Sequence, residues 1–198
     1  MDPKKLLERQ DRLQDEARSI LTKLRLPGRL SLIGRPLQVG SSALGLMVRR
    51  DLDITVICAE LDLKRVAKLC SELICLEGIK NLRFQNRIDR SEQTTPTITN
   101  DLQISLSYQL DNERTWNIQV RLIDEPERQL DLQHIKSLPT KLNPLNRELI
   151  LTIKNEWYQR PEYGTSVTGY LICDAVLNQG VTSLKEFEQW MEKRSKTC

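Results

Sequence analysis

Two stretches of the chain, 102–110 and 116–122, alternate between apolar and polar residues along their whole length. Because successive side chains of a β-strand point to opposite faces, each stretch predicts a strand with one buried face and one polar face. The polar residues 111–114 between them fit a hairpin turn. We therefore expect an antiparallel sheet that packs one face on the core.

The spacing of apolar residues changes after Pro139 from two to about 3.6, which is the period of an amphipathic helix. Helices are expected over 145–157 and 165–177. A third is expected from Ser183, where Glu186 completes a capping box.

The first half of the chain mixes short helical and strand patterns. Apolar residues at helical spacing predict a long amphipathic helix over 2–25, which Pro27-Gly28 should end. The other expected elements are a strand over 36–39, a brief helix or loop over 41–47, a strand over 51–58, a helix capped by Asp62 and ending at Gly78, a weak strand at 82–84 and an exposed loop over 89–100. We expect two domains, an α/β region over 1–137 and a helical region over 138–198.

Composition narrows the class of protein. The net charge is +3, from 30 basic and 27 acidic residues, and favours neither a nucleic-acid binder nor a membrane-surface protein. No apolar run approaches the roughly 20 residues that span a bilayer, and the charged first helix lacks the apolar core of a signal peptide. The five cysteines form no C-x-x-C pair, so we expect reduced thiols in a cytoplasmic protein with no membrane partner.

A pair of acids stands at the start of the apolar strand 51–58. Asp51 and Asp53 point to the same side of the strand, where their like charges repel unless a cation lies between them. Mg²⁺ suits such a place because it prefers carboxylate oxygens. Shortly before, Gly40 and Ser41 are expected to form a bend at a helix start whose N–H groups and hydroxyl suit a phosphate. The pattern predicts a site for a metal-bound nucleoside triphosphate, although a bare D-x-D motif is more often a solvated strand end.

The spacing of these residues resembles the signature of the DNA polymerase β-like nucleotidyltransferases, which include aminoglycoside and lincosamide nucleotidyltransferases. The match is Val39-Gly40-Ser41, nine residues, and then Asp51-Leu52-Asp53-Ile54. The resemblance implies an α/β fold with a mixed, mostly antiparallel sheet and helices on one side, followed by a C-terminal helical bundle. It implies that the two acids hold Mg²⁺ and that the glycine and serine hold the phosphates of ATP or another triphosphate. Lys154 is then either a helix lysine that contacts the triphosphate or an ordinary surface lysine.

The third carboxylate that this family usually has on a later strand is missing from its expected place. The strand is TWNIQVRLID, and Gln119 stands where the acid should be. Asp124, the nearest acid, falls at the end of the strand and on the opposite face if the strand stays regular. A glutamine offers a carbonyl oxygen to a metal but accepts no proton. Gln119 therefore either completes the metal shell or marks lost catalysis.

Other polar residues have both a functional and an ordinary interpretation. Arg49 and Arg50 could contact phosphates, although solvated loop charges are more common. Tyr163 and Tyr170 could stack on a base, but tyrosines in such positions are more often core or rim residues. His134, the single histidine, is expected in a loop or at a helix edge.

Three functions follow from these interpretations. The first is Mg²⁺-dependent transfer of a nucleoside monophosphate from ATP or another triphosphate to a hydroxyl group, with pyrophosphate as the leaving group. Its acceptor could be a small molecule, a protein or RNA. The second is a catalytically degenerate protein of the same fold that binds nucleotides or other proteins. The third, an RNA-binding accessory protein, is disfavoured by the small net charge.

Overall fold

A computed structural model of the chain describes residues 3–88, 101–126 and 129–195, so the loop expected over 89–100 lies outside the described residues. The chain begins with helix α1 (Pro3–Lys23), and helix α2 (Leu26–Ser31) follows almost at once. Pro27-Gly28 was expected to end the first helix, but α1 already ends at Lys23, and both residues lie within α2, which was not predicted. Arg25 breaks α1 with φ 49, and the proline lies in the first turn of α2, where its missing N–H would have no intrahelical partner.

Within the described residues, five strands form one sheet in the order β1-β2-β5-β4-β3. The strands are β1 (Arg35–Val39), β2 (Asp51–Ile57), β3 (Ile79–Asn86), β4 (Leu102–Gln109) and β5 (Thr115–Ile123). β2 and β5 pair in parallel, and all other neighbours pair antiparallel. The predicted mixed, mostly antiparallel sheet is therefore confirmed. β4 and β5 form the predicted hairpin, in whose turn Asp111 accepts hydrogen bonds from the backbone N–H groups of Glu113 and Arg114.

The alternation along the strands separates a buried face of the sheet from an open one. Helices α1, α2 and α4 (Leu63–Ile74) cover the buried face, and their apolar side chains form one cluster with those of the strands. The predicted cap of α4 is present, because the Asp62 carboxylate accepts hydrogen bonds from the N–H groups of Lys64 and Arg65. The open face carries polar residues of β2, β4 and β5, so a site can form there.

The rest of the described chain is helical. It contains α5 (Leu130–Ser137), α6 (Pro144–Trp157), α7 (Gly169–Asn178) and α8 (Leu184–Ser195). Helix α5 was not predicted, and α7 begins later than expected because Thr168 is its N-cap. The apolar faces of α6, α7 and α8 form a second cluster. The C-terminal helical bundle is confirmed, whereas the domain boundary between residues 137 and 138 stays a prediction.

The first helix connects both parts of the molecule. Helix α1 covers the sheet and also contacts the C-terminal helices. Nη1 of Arg9 in α1 donates a hydrogen bond to Oδ1 of Asn155 in α6 (3.2 Å). Within the described residues, no helix combines the length and the apolar character that crossing a bilayer requires.

Candidate active site

The two acids and the glycine-serine bend lie next to each other. Asp51 and Asp53 open β2, and Val39, the last residue of β1, is the antiparallel partner of Asp53. Gly40 follows directly and begins a short helix, α3 (Gly40–Leu44). Its φ is +64, and a Cβ placed there would lie 2.9 Å from Oδ2 of Asp53. The position requires glycine, because the bend packs directly on the carboxylate.

The two acids have different surroundings. Asp51 forms an ion pair with Arg49 and accepts a hydrogen bond from Nδ2 of Asn117 (3.2 Å). Burial first, and then repulsion from Asp51 and Asp131, raise the pKa of Asp53 to about 6. A cation between the two carboxylates would relieve this repulsion, so both fit a divalent ion such as Mg²⁺. Within the described part of the chain, no group of three His, Cys, Asp or Glu side chains is arranged to hold a metal.

Lys154 lies beneath the bend. It comes from α6 and is 2% exposed, and its Nζ donates hydrogen bonds to Oγ of Ser41 and to the carbonyl oxygen of Leu46, both 2.6 Å long. Burial lowers the pKa of this lysine. The alternative of an ordinary surface lysine is therefore wrong, and Lys154 holds the serine hydroxyl and the loop after α3 in place. Its contact with a triphosphate stays a prediction.

Gln119 lies beside Asp53 in the sheet. The two residues are partners in the parallel pair of β2 and β5, and Ser105 of β4 is the partner of Gln119 on the other side. Oε1 of Gln119 accepts a hydrogen bond from Nε2 of Gln103 (3.3 Å). A neutral amide therefore lies next to the acids, while Asp124 is exposed beyond the end of β5. The role of Gln119 as a metal ligand stays a prediction.

A cavity of about 380 Å³ opens in front of the acids, a volume within the usual range for small-molecule sites. We call it the donor cavity, because the sequence predicts a nucleotide donor there; its lining includes Gly40, Ser41, Arg49, Asp51, Asp53, Asp131, His134, Lys154, Tyr163 and Tyr170. Two predicted residues are not in this lining. Gln119 lines a neighbouring cavity, and Arg50 pairs with Glu16 of α1 (3.0 Å). The structure thus brings both acids, the bend and Lys154 to one cavity.

Aromatic rings line the donor cavity. His134 of α5 and Tyr170 of α7 stack with their ring centroids 3.7 Å apart and their planes 8° apart. His134 lies half-buried in the last turn of α5, which fits the helix-edge alternative, and burial lowers its pKa. The guanidinium of Arg49 lies 5.4 Å from the ring centre of Tyr163.

Sequence reasoning missed α5, and with it Asp131 and the place of His134 in the cavity lining. The signal was present but short. Leu132, Ile135 and Leu138 recur every three residues, and Leu132 packs with residues of β1 and β5. Helical periodicity over such a short segment gives little information, so the helix becomes clear only from the tertiary packing.

No protein-family model matches the chain, and no curated protein matches it by sequence. Solved structures do match it. They include the Cid1 poly(U) polymerase with MgGTP bound (20% identity, 84% of this chain and 50% of that chain, TM-score 0.59) and Cid1 with its short product ApU (20%, 84% and 48%, 0.58). A cytoplasmic RNA terminal U-transferase also matches (19%, 83% and 45%, 0.57). The chain spans about half the length of these structures.

At this level of identity the likeness establishes the fold. The sheet and the helices behind it form a nucleotidyltransferase fold like that of these structures. The resemblance found in residues 39–54 is therefore confirmed at the level of the fold. The neighbours include transferases that act on RNA, and this activity is a property of those proteins.

Proposed function

We propose that the chain is a Mg²⁺-dependent nucleotidyltransferase that moves a nucleoside monophosphate from a nucleoside triphosphate to a hydroxyl group. The observation that carries the proposal is the direct packing of the Gly40 bend on Asp53, with Asp51 beside it. A phosphate at the bend and a cation at the acids would be neighbours there. Transfer from a triphosphate requires this arrangement, because charge on the phosphoryl group must be offset where it develops.

Each polar group of the donor cavity has a role in this proposal. Mg²⁺ held by Asp51 and Asp53 would supply charge neutralisation at the transferred phosphoryl group. Oγ of Ser41 accepts a hydrogen bond from Lys154, so its own proton is free to be donated to a phosphate oxygen. The positive charges of Lys154 and Arg49 in the same cavity would balance part of the negative charge of the triphosphate.

The stacked pair of His134 and Tyr170 offers a place for the nucleobase. The tyrosine is 40% exposed and lines the donor cavity, so a base can lie flat against its ring. Structures of the neighbouring proteins hold a UTP analogue, MgGTP or MgATP. These ligands support a nucleoside triphosphate as the donor for this chain.

The open face of the sheet favours an RNA acceptor over a cationic small molecule. A row of partner residues leads from Asp53 across the sheet through Gln119 and Ser105 to Arg83. β3, β4 and β5 contain no aspartate or glutamate, so these strands neither repel a phosphate backbone nor attract an amine. RNA as the acceptor of two neighbouring proteins supports the same choice.

Gln119 favours a second candidate, a protein of the same fold that binds nucleotides without turning them over. A neutral amide takes no proton from an acceptor hydroxyl, and it adds no charge to a metal site that two carboxylates would form. This candidate shares the donor cavity with the first but predicts no release of pyrophosphate.

The test separates binding from chemistry. With Mg²⁺ and ATP, UTP or GTP at about 100 times the dissociation constant, we expect a stabilisation of about 2.7 kcal/mol, a rise in Tm of roughly 5–11 °C. Asp53→Ala should abolish the rise. Asp124→Ala, which removes an exposed acid outside the cavity, should keep it.

Release of pyrophosphate with oligoadenylate as acceptor then distinguishes the two candidates. We expect release that depends on both Mg²⁺ and the RNA. Stabilisation without release, with RNA or with small hydroxyl compounds, would favour the binding protein. If no triphosphate stabilised the parent chain, the nucleotide site itself would be wrong.

A further inference from the structure

The proposed transfer requires a group that accepts the proton of the acceptor hydroxyl, and the strand beside the acids supplies none. Gln119, the partner of Asp53 in β5, is an amide that takes no proton. Asp51 and Asp53 would be occupied by the metal. The proton acceptor must therefore come from another element of the fold, and this question rests on the proposed function.

A second cavity, of about 190 Å³, lies on the other side of Asp53. We call it the acceptor cavity; its polar lining consists of Asp53, Thr55, Gln103, Gln119, Arg121 and Asp131. Gly40, Asp53 and Asp131 line both this cavity and the donor cavity. These three residues mark the junction where a donor phosphate and an acceptor hydroxyl would meet.

Asp131 reaches the junction because α5 is fixed against the edge of the sheet. Leu132, the next residue of the helix, is buried in a cluster with Val39 of β1 and Ile123 of β5. Oδ2 of Asp131 lies 3.4 Å from Nη1 of Arg121, which orients the carboxylate toward β5. The Asp131 side chain is 43% exposed, so a substrate can approach it and a proton can pass on to water.

The charge on Arg121 is shared with a buried acid. Its Nε lies 3.2 Å from Oδ2 of Asp101, whose side chain is 1% exposed and also pairs with Arg87 (2.8 Å). Two arginines and two aspartates therefore pair with one another in this cluster. Asp131 can keep its place beside Arg121 with its second oxygen directed elsewhere.

We infer that Asp131, on α5, is the proton acceptor that replaces the missing acid of β5. In the step, the acceptor oxygen forms a bond to the α-phosphorus while the bond between that phosphorus and the bridging oxygen breaks. Pyrophosphate leaves, and the hydroxyl proton passes to the Asp131 carboxylate and then to water. His134, on the same helix, lines the donor cavity and stacks on Tyr170, so it lies on the side of the nucleotide.

The test removes the carboxylate and then returns it to β5. Pyrophosphate release is measured from Mg²⁺·UTP and oligoadenylate at saturating nucleotide. Asp131→Asn should lower kcat by about 100-fold or more, the range for loss of a general base. A rise in Tm with Mg²⁺·UTP should persist, because both proposed metal ligands, the Gly40-Ser41 bend and Lys154 are retained in the variant. Asp124→Asn, an exposed acid at the end of β5, is the matched control and should keep full activity.

The double variant Gln119→Glu/Asp131→Asn places a carboxylate beside Asp53 in β5. We expect its kcat to be at least tenfold higher than that of Asp131→Asn alone. A loss without recovery would overturn the inference. So would an Asp131→Asn variant whose defect is a raised KM and a lost nucleotide-dependent rise in Tm, since that result places Asp131 on the nucleotide.

Failure of the inference and failure of the proposed function give different results. An Asp131→Asn variant that keeps the kcat of an active parent overturns Asp131 as proton acceptor and leaves the proposed function standing. A parent chain that binds Mg²⁺·UTP but releases no pyrophosphate overturns the transfer, favours the nucleotide-binding candidate and removes the basis of the inference. A parent chain that no triphosphate stabilises overturns the proposed function, and the inference falls with it.

Discussion

Asp53 should make the ligand-free protein less stable as the pH rises. Its pKa is raised from 3.8 to about 6, by burial first and then by repulsion from Asp51 and Asp131. Above this pH the folded protein carries an ionised carboxylate that is less favourable there than in the unfolded chain. Each pKa unit corresponds to about 1.4 kcal/mol. A difference of about two units therefore lowers the free energy of unfolding by about 3 kcal/mol.

The pH range of this cost follows from the two pKa values. Below about pH 4 the carboxyl group is protonated in both the folded and the unfolded protein, so it does not lower the free energy of unfolding. The loss of stability develops between about pH 4 and 6 and is complete above about pH 6. Asp53→Asn keeps the shape and removes the charge. The variant should therefore exceed the parent in stability by up to about 3 kcal/mol near pH 7.5, roughly 6–12 °C in Tm, and by almost nothing near pH 4.

Thermal unfolding of both proteins in EDTA, at several pH values between about 4 and 7.5, measures this difference directly. Asp124→Asn is the control, since its carboxylate is exposed and its removal should give a small difference at every pH. A stability difference between Asp53→Asn and the parent that does not change with pH would refute the reasoning. So would a variant that is less stable than the parent near neutral pH.

Two further variants test the bend. Gly40→Ala and Gly180→Ala both place a side chain at positive φ (64 and 73), which costs about 1–2 kcal/mol, but only the Cβ at 40 would meet Asp53. In urea unfolding Gly40→Ala should therefore lose more stability than Gly180→Ala. It should also lose the rise in Tm with Mg²⁺·ATP. Equal losses of stability in the two variants would contradict the packing of the bend on Asp53. Lys154→Met removes two charged hydrogen bonds of about 1.5–3 kcal/mol each while relieving a buried charge, so stability should fall by less than their sum. The nucleotide-dependent rise should shrink, whereas exposed Lys185→Met should keep it, and an undiminished rise in Lys154→Met would contradict the anchoring of Ser41.

The sheet could be predicted because its signal is local. In β4 and β5 the apolar residues recur at every second position, so a buried position such as Leu106 or Trp116 can be predicted from the residue two places away. The same rule places Asp51 and Asp53 on one side of β2, and their distance from Gly40 in sequence matches a known signature. The fold class and the acids of the candidate site therefore needed no tertiary information.

The second helix shows where local reasoning fails. Pro27-Gly28 is a strong signal to end a helix, yet Pro27 is equally suited to the first turn of a new one. The outcome depends on Leu26 and Leu30, which are fully buried in the main core. Burial in a core assembled from distant elements overrides the local preference.

Local patterns were enough to predict strands, most of the helices and a pair of acids facing one way, because side-chain direction within an element follows from its period. Long-range packing was needed to bring Lys154 of α6 beneath the bend and Asp131 of α5 beside Asp53. The sequence around the two acids gives no sign of either contact, because α5 and α6 meet the acids only when the helices dock on the sheet. The partners of the acids, and with them the chemistry proposed for the site, are therefore a property of the tertiary structure.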